Sequence, residues 1–152
     1  MYRFLFLGLS TSLLLSTAGC VKGEFDQLMD KGWDKWDQGN YKEAIKLCSE
    51  AISFEPDDPE GYYCRGSALS EIGKSRSAYK DLTKAIELDP DDLDYYYWRG
   101  TTIMSMIRQA NSKMQKVGCS DIKKAYSNQH DFTLEYVQEN KGFLNQECPF
   151  LF

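Results

Sequence analysis

The chain has 152 residues, a formal charge of −5 at pH 7 and an isoelectric point near 4.9. That length suits one domain. The acidic balance and the lack of any Lys/Arg stripe argue against nucleic acid, whose phosphates require clustered cations.

The first twenty residues read as a targeting segment rather than as part of a fold. Arg3 supplies a minimal positive start, residues 4–15 are mostly apolar, and Ser16-Thr17-Ala18-Gly19-Cys20 follows. The apolar run is too short to span a bilayer and fits a secretory signal. A cysteine directly after small residues resembles a bacterial lipoprotein processing site, although Thr17 stands where that family usually has an aliphatic residue. The resemblance implies a signal peptide over 1–19, acylation of Cys20 and a lipid-anchored tether over 20–24. Three acyl chains hold a bilayer far more firmly than one. Val21 after the cysteine implies the outer membrane, facing the periplasm. The alternative is an ordinary cleaved signal and a soluble periplasmic or secreted product.

Beyond the tether, one pattern is written twice at an offset of 34. Gly32, Gly39, Ala44, Ala51 and Pro56 recur as Gly66, Gly73, Ala78, Ala85 and Pro90. A period near 34 is the signature of stacked helix–turn–helix units. Residues 25–38 and 41–54 read as the first helix pair, and 59–72 and 75–88 as the second. The glycines twelve residues before each alanine let paired helices approach closely. Gly39 and Gly73 fall where the first helix of each pair must turn, which glycine permits. Pro56 and Pro90 end the second helices. Asp57-Asp58 and Asp91-Asp92 offer oxygens to cap the next helix.

These features resemble the tetratricopeptide (TPR) repeat family, most plainly over Tyr62-Tyr63-Cys64-Arg65-Gly66 and over residues 81–90. The resemblance implies an all-α, right-handed superhelix of antiparallel helix pairs. About three TPR units are expected, over 25–58, 59–92 and 93–130, with a capping helix over 131–140 and a tail over 141–152. The third unit starts in register, since Tyr96, Arg99 and Gly100 follow Tyr62, Arg65 and Gly66 by 34. It then slips by six residues, as Lys124-Ala125 shows. The expected accommodation is a long helix over 93–111, a turn over 112–118 and a short helix over 119–126. Arg65 with Asp81 and Arg99 with Asp121 are expected helix–helix ion pairs. The apolar end, Pro149-Phe150-Leu151-Phe152, is expected to cover the last repeat; a docking peptide is the lesser reading.

Export would place Cys48, Cys64, Cys119 and Cys148 in a disulfide-permissive compartment. Three pairings are possible. Cys48–Cys64, on neighbouring helices, with Cys119–Cys148, flanking the cap, is favoured over free buried thiols.

No catalytic arrangement emerges. The chain has no phosphate loop, no Cys-x-x-Cys and no histidine pair; His130 is single and reads as a surface or capping residue. No cofactor or metal is implied. In TPR arrays the first helices line the concave surface. On the first of them Met29, Trp33, Trp36 and Asp37 share a face. The corresponding positions are Tyr63, Ser67, Ser70 and Glu71, then Tyr97, Thr101, Met104 and Ser105, with Asp26, Glu60 and Asp94 at the helix starts. Candidate partner-binding residues are therefore Met29, Trp33, Trp36, Asp37, Glu60, Tyr63, Tyr97 and Met104. An aromatic, acid-fringed groove suits a protein segment, particularly a basic one. The competing reading is that a tryptophan merely packs in the core and the carboxylates form a solvated face. The chaperone-type clamp for a terminal carboxylate is not matched, because its positions hold Met29, Trp33, Cys64 and Trp98. The sequence thus reads as an envelope adaptor or assembly factor without catalytic activity. A self-associating structural protein, for example a homodimer, is the alternative.

Overall fold

A computed structural model describes residues 23–106, 112–149 and 151. The signal segment, the acylation candidate Cys20, most of the tether, residues 107–111, Phe150 and Phe152 lie outside the described residues. The described chain is all-helical: α1 (Glu24–Asp37), α2 (Tyr41–Phe54), α3 (Pro59–Glu71), α4 (Ser75–Leu88), α5 (Leu93–Ser105), α6 (Ser112–Ser127), α7 (Asp131–Glu139) and α8 (Lys141–Glu147). No strand occurs among the described residues.

Local chemistry sets the boundaries. Gly39 and Gly73 both have φ of +72°, a left-handed turn open to glycine at little cost. Asp58 and Asp92 accept the backbone N–H groups of Glu60 and Asp94, each at 2.8 Å, and so cap α3 and α5. Pro59 begins α3, where its missing N–H costs nothing.

The pairs α1/α2, α3/α4 and α5/α6 are the main packing units, and each second helix also packs on the next pair. Small residues make this possible. A Cβ at Gly66 would lie 2.9 Å from Leu82 Cγ, and one at Gly100 would lie 2.8 Å from Ile122 Cγ1. Ala44, Ala51, Ala78, Ala85 and Ala125 are fully buried. Arg65 clasps Asp81 through two bonds of 2.7 and 2.8 Å, and Arg99 clasps Asp121 at 2.7 and 2.9 Å. Each guanidinium also reaches a hydroxyl on the preceding repeat, Ser49 at 3.4 Å and Thr83 at 3.3 Å. Each arginine thus ties three helices together, as the sequence spacing anticipates for the two ion pairs.

The third unit corrects one expectation. Residues 112–118 form helix rather than turn, and α5 ends at Ser105. Gly118, the last residue of the expected turn, lies inside α6 against α5. A Cβ there would lie 2.6 Å from Met104 Cε and 2.7 Å from Ile103 Cγ2. This glycine serves close packing. The tail is also more regular than a simple strap, because residues 141–147 form α8. Leu144, Cys148 and Leu151 are buried with Ile103, Met104, Cys119, Ile122 and Val137, so the described tail covers the third unit. Gln115 fastens it by donating from Nε2 to the Glu147 carbonyl at 3.0 Å.

The four cysteines fall into two pairs at disulfide distance. Cys48 and Cys64 have Cα atoms 5.9 Å apart, and Cys119 and Cys148 5.6 Å apart. All four side chains are fully buried.

Candidate functional site

The first helices of the pairs, α1, α3 and α5, adjoin one another and present a continuous set of aromatic rings. Trp33 sits 5.0 Å from Tyr63, and Tyr63 5.0 Å from Tyr95, centroid to centroid. Trp36 links Tyr41 at 6.0 Å, Trp33 at 6.1 Å and Trp98 at 5.7 Å. Trp98 leads to Tyr97 at 5.9 Å. Tyr97 in turn meets His130, Phe132 and Tyr136 of the α7 region at 5.5, 6.2 and 6.2 Å. Most contacts are tilted or edge-on, the arrangement that aromatic quadrupoles favour.

Among the sequence candidates, Trp33, Trp36, Tyr63 and Tyr97 are half-buried members of this set, and Asp37 is exposed. Glu60 is half-buried and accepts the Tyr95 hydroxyl at 2.9 Å. Met29 and Met104 are different. They retain only 7% and 4% of their exposure and belong to core clusters. Helical spacing put them beside the aromatic face, but each lies on the core side of its helix, so neither lines an accessible surface. Five further Tyr, Trp and Phe rings stand outside the candidates: Tyr41, Tyr95, Trp98, Phe132 and Tyr136. Phe132 and Tyr136 carried a usable signal, four residues apart on one face of α7. Tyr95 is almost wholly buried, and Trp98 engages the Tyr63 hydroxyl, so both hold the face in place.

Electrostatics at this face are one-sided. Burial raises the Glu60 carboxyl above the usual range; Tyr95 opposes the rise, while Asp92, Asp58 and Asp94 reinforce it. The Tyr97 hydroxyl is pushed up by burial and then by Glu135, Glu71, Glu139 and Asp94. Burial pushes Tyr136 up to about 12. His130 takes the capping role. Its Nδ1 accepts the Thr133 N–H at 3.3 Å, and its Nε2 lies 2.7 Å from Asp94, linking α7 to α5. The Trp36 Nε1–H is buried without a hydrogen-bond partner among the described residues. Those residues contain no metal-ligating cluster and no helix long and apolar enough to cross a membrane.

Stacked helix pairs with a 34-residue repeat, glycine turns and small residues at the helix contacts define an α-solenoid of helix–turn–helix units. Family models place it more closely: one described as "TPR repeat" matches residues 36–73, and one described as "Tetratricopeptide repeat" matches residues 59–92. The chain thus carries tetratricopeptide repeats over residues 36–92, and its described helices follow the TPR fold. No curated protein matches its sequence. Among solved structures, the first TPR domain of human RPAP3 is similar, with a TM-score of 0.70 and 19% identity, covering 84% of this chain and 99% of that one. The Arabidopsis OM64 TPR domain gives a TM-score of 0.66 at 22% identity, covering 77% and 95%. The first TPR of Spaghetti (RPAP3), bound to the HSP90 peptide SRMEEVD, gives 0.68 at 20%, covering 80% and 95%. At these identities the likeness concerns the fold.

Proposed function

We propose that this chain is a cell-envelope adaptor or assembly factor that holds an extended protein segment on the face formed by α1, α3 and α5. The observation behind the proposal is the half-exposed aromatic row that crosses all three repeats. Aromatic side chains concentrate binding energy because they bury large areas with few rotatable bonds. TPR neighbours hold peptides, as in the Spaghetti complex and the yeast Sti1 TPR2B complex with an Hsp70 peptide. This chain offers a different lining. At the clamp positions Met29 and Cys64 are buried, and Cys64 lies at disulfide distance from Cys48. Trp33 and Trp98 belong to the aromatic row. A terminal carboxylate finds no cation there, so the ligand is not an acidic C-terminus. The chain binds rather than catalyses. Acylation at Cys20 anchors it to the outer membrane on the periplasmic side, a reading that rests on the lipoprotein-like segment before Val21.

The test is partner capture from a chemically cross-linked envelope, comparing the full chain with Trp33→Ala/Trp98→Ala. Loss of a specific cross-linked band, with helicity retained by circular dichroism, is the expected result. Undiminished capture by the double variant would remove the groove reading. Radiolabelled palmitate incorporation that persists in Cys20→Ser would remove the anchor.

A further inference from the structure

The α7 helix does more than close the array. Phe132, Glu135, Tyr136 and Glu139 stand at i, i+3, i+4 and i+7, and so share one face. Phe132 and Tyr136 both meet the Tyr97 ring, so that face looks onto α5 at the end of the aromatic row. Phe132 keeps 61% of its exposure, the highest of the large exposed hydrophobic side chains among the described residues. Glu135 and Glu139 are exposed beside it.

Charge is segregated along the same surface. At the groove positions of the three first helices the chain places Asp26, Asp37, Glu60, Glu71 and Asp94, and no Lys or Arg. The four α7 positions also contain none, although the chain has 18 Lys and Arg in all. Arg65 and Arg99 point the other way and are held by Asp81 and Asp121. Glu71 shares the cleft at the α3–α4 turn with Lys74 and Arg76, which leaves the α7 pair as the cleaner lever.

We propose that α7 forms one wall of a cation pocket. In it Tyr97, Phe132 and Tyr136 receive a Lys or Arg side chain of the bound segment, and Glu135 and Glu139 supply the opposing charge. This deepens the groove reading and rests on it. Ring faces attract a cation within about 6 Å of the centroid, and more strongly where carboxylates adjoin. Burial of the stem against three rings adds apolar contact that an exposed ion pair lacks. The partner is thus a polypeptide with a basic stretch, not one chosen for apolar anchors alone.

The test is fluorescence anisotropy of labelled peptides of about twelve residues with the full chain in non-ionic detergent. Three probes alternate Ser with Arg, Ser with Glu, or Ser with Leu. The Arg probe should bind most tightly and weaken as salt is added. Glu135→Gln/Glu139→Gln should lower its affinity about tenfold, and Phe132→Ala should lower it severalfold. Glu50→Gln/Glu87→Gln, on the second helices, should leave it unchanged. Equal losses in the α7 and control variants would reduce the effect to net charge and overturn the pocket. Tighter binding of the Leu probe, abolished by Trp33→Ala/Trp98→Ala, would overturn the pocket while leaving the groove intact. Binding of none of the three probes would overturn both.

Discussion

The two arginine clasps give one chemical arrangement twice at different burial, so one mutation can be compared with its own internal control. In the third unit the Arg99 and Asp121 side chains are 12% and 5% exposed; in the second, Arg65 and Asp81 are 26% and 13% exposed. Burial pushes the Asp121 carboxyl up, and the Arg99 guanidinium opposes it through its hydrogen bonds and its charge. Arg99→Met retains most of the stem and removes that opposition. It leaves a carboxylate inside the α5/α6 interface without its hydrogen-bonded cation and opposed only by the charge of Lys124, which costs about 3–5 kcal/mol. Arg65→Met leaves Asp81 with more access to water, so about 1–2 kcal/mol is expected by the weaker, part-screened scale. The assay is urea unfolding of both variants, read as a shift in midpoint with the slope unchanged. The pH dependence follows from linkage. With Arg99 gone, the folded pKa of Asp121 rises further above its unfolded value. The protonated form is then tolerated and the ionised form is not. The Arg99→Met deficit should therefore be full above the raised folded pKa and shrink as pH falls toward the ordinary carboxylate range. Equal losses in the two variants, or a deficit for Arg99→Met that grows on acidification, would refute this account.

Three other outcomes follow from the geometry. Glu60→Gln keeps an acceptor for the Tyr95 hydroxyl and removes a charge that burial disfavours; Tm should rise slightly at pH 7, and the gain should vanish below the carboxylate range, where Glu60 is itself protonated. Cys119→Ser/Cys148→Ser removes a closure over 29 residues, worth roughly 3.6 kcal/mol in the loop-entropy treatment. Limited proteolysis should then cut within 141–149, whereas Cys48→Ser/Cys64→Ser should leave that segment protected. Gly118→Ala should cost about 1–3 kcal/mol in thermal melts through its clash with Ile103 and Met104. A neutral or stabilising result would mean that the α5/α6 contact is looser than described.

The repeat was legible because each of its residues answers a steric demand. Gly66, Ala78 and Ala85 are small where helices touch, Gly39 and Gly73 carry positive φ, and Asp58 and Asp92 fill cap positions. The helix bounds at 41–54 and 75–88 follow from these residues directly. The third unit was harder, because glycine serves both breaks and close packing. Nothing local to Gly118 says which; only its distance to Ile103 and Met104 decides. The aromatic face was half legible. Spacing found Trp33, Trp36, Tyr63 and Tyr97, but a helical wheel cannot separate a groove residue from one turned inward, and Met29 and Met104 are inward. Phe132 and Tyr136 were passed over because α7 read as a cap, and a cap was not expected to share in the face.

The C-terminal segment has a consequence for assembly. A stack of helix pairs ends in an unpaired apolar side, and that side can recruit another stack. Here Leu144, Cys148 and Leu151 are laid against Ile122 and Val137, and Cys119 lies at disulfide distance from Cys148. The docking place of a further unit is thus filled from within the same polypeptide. End-to-end growth at this edge would first require peeling off α8.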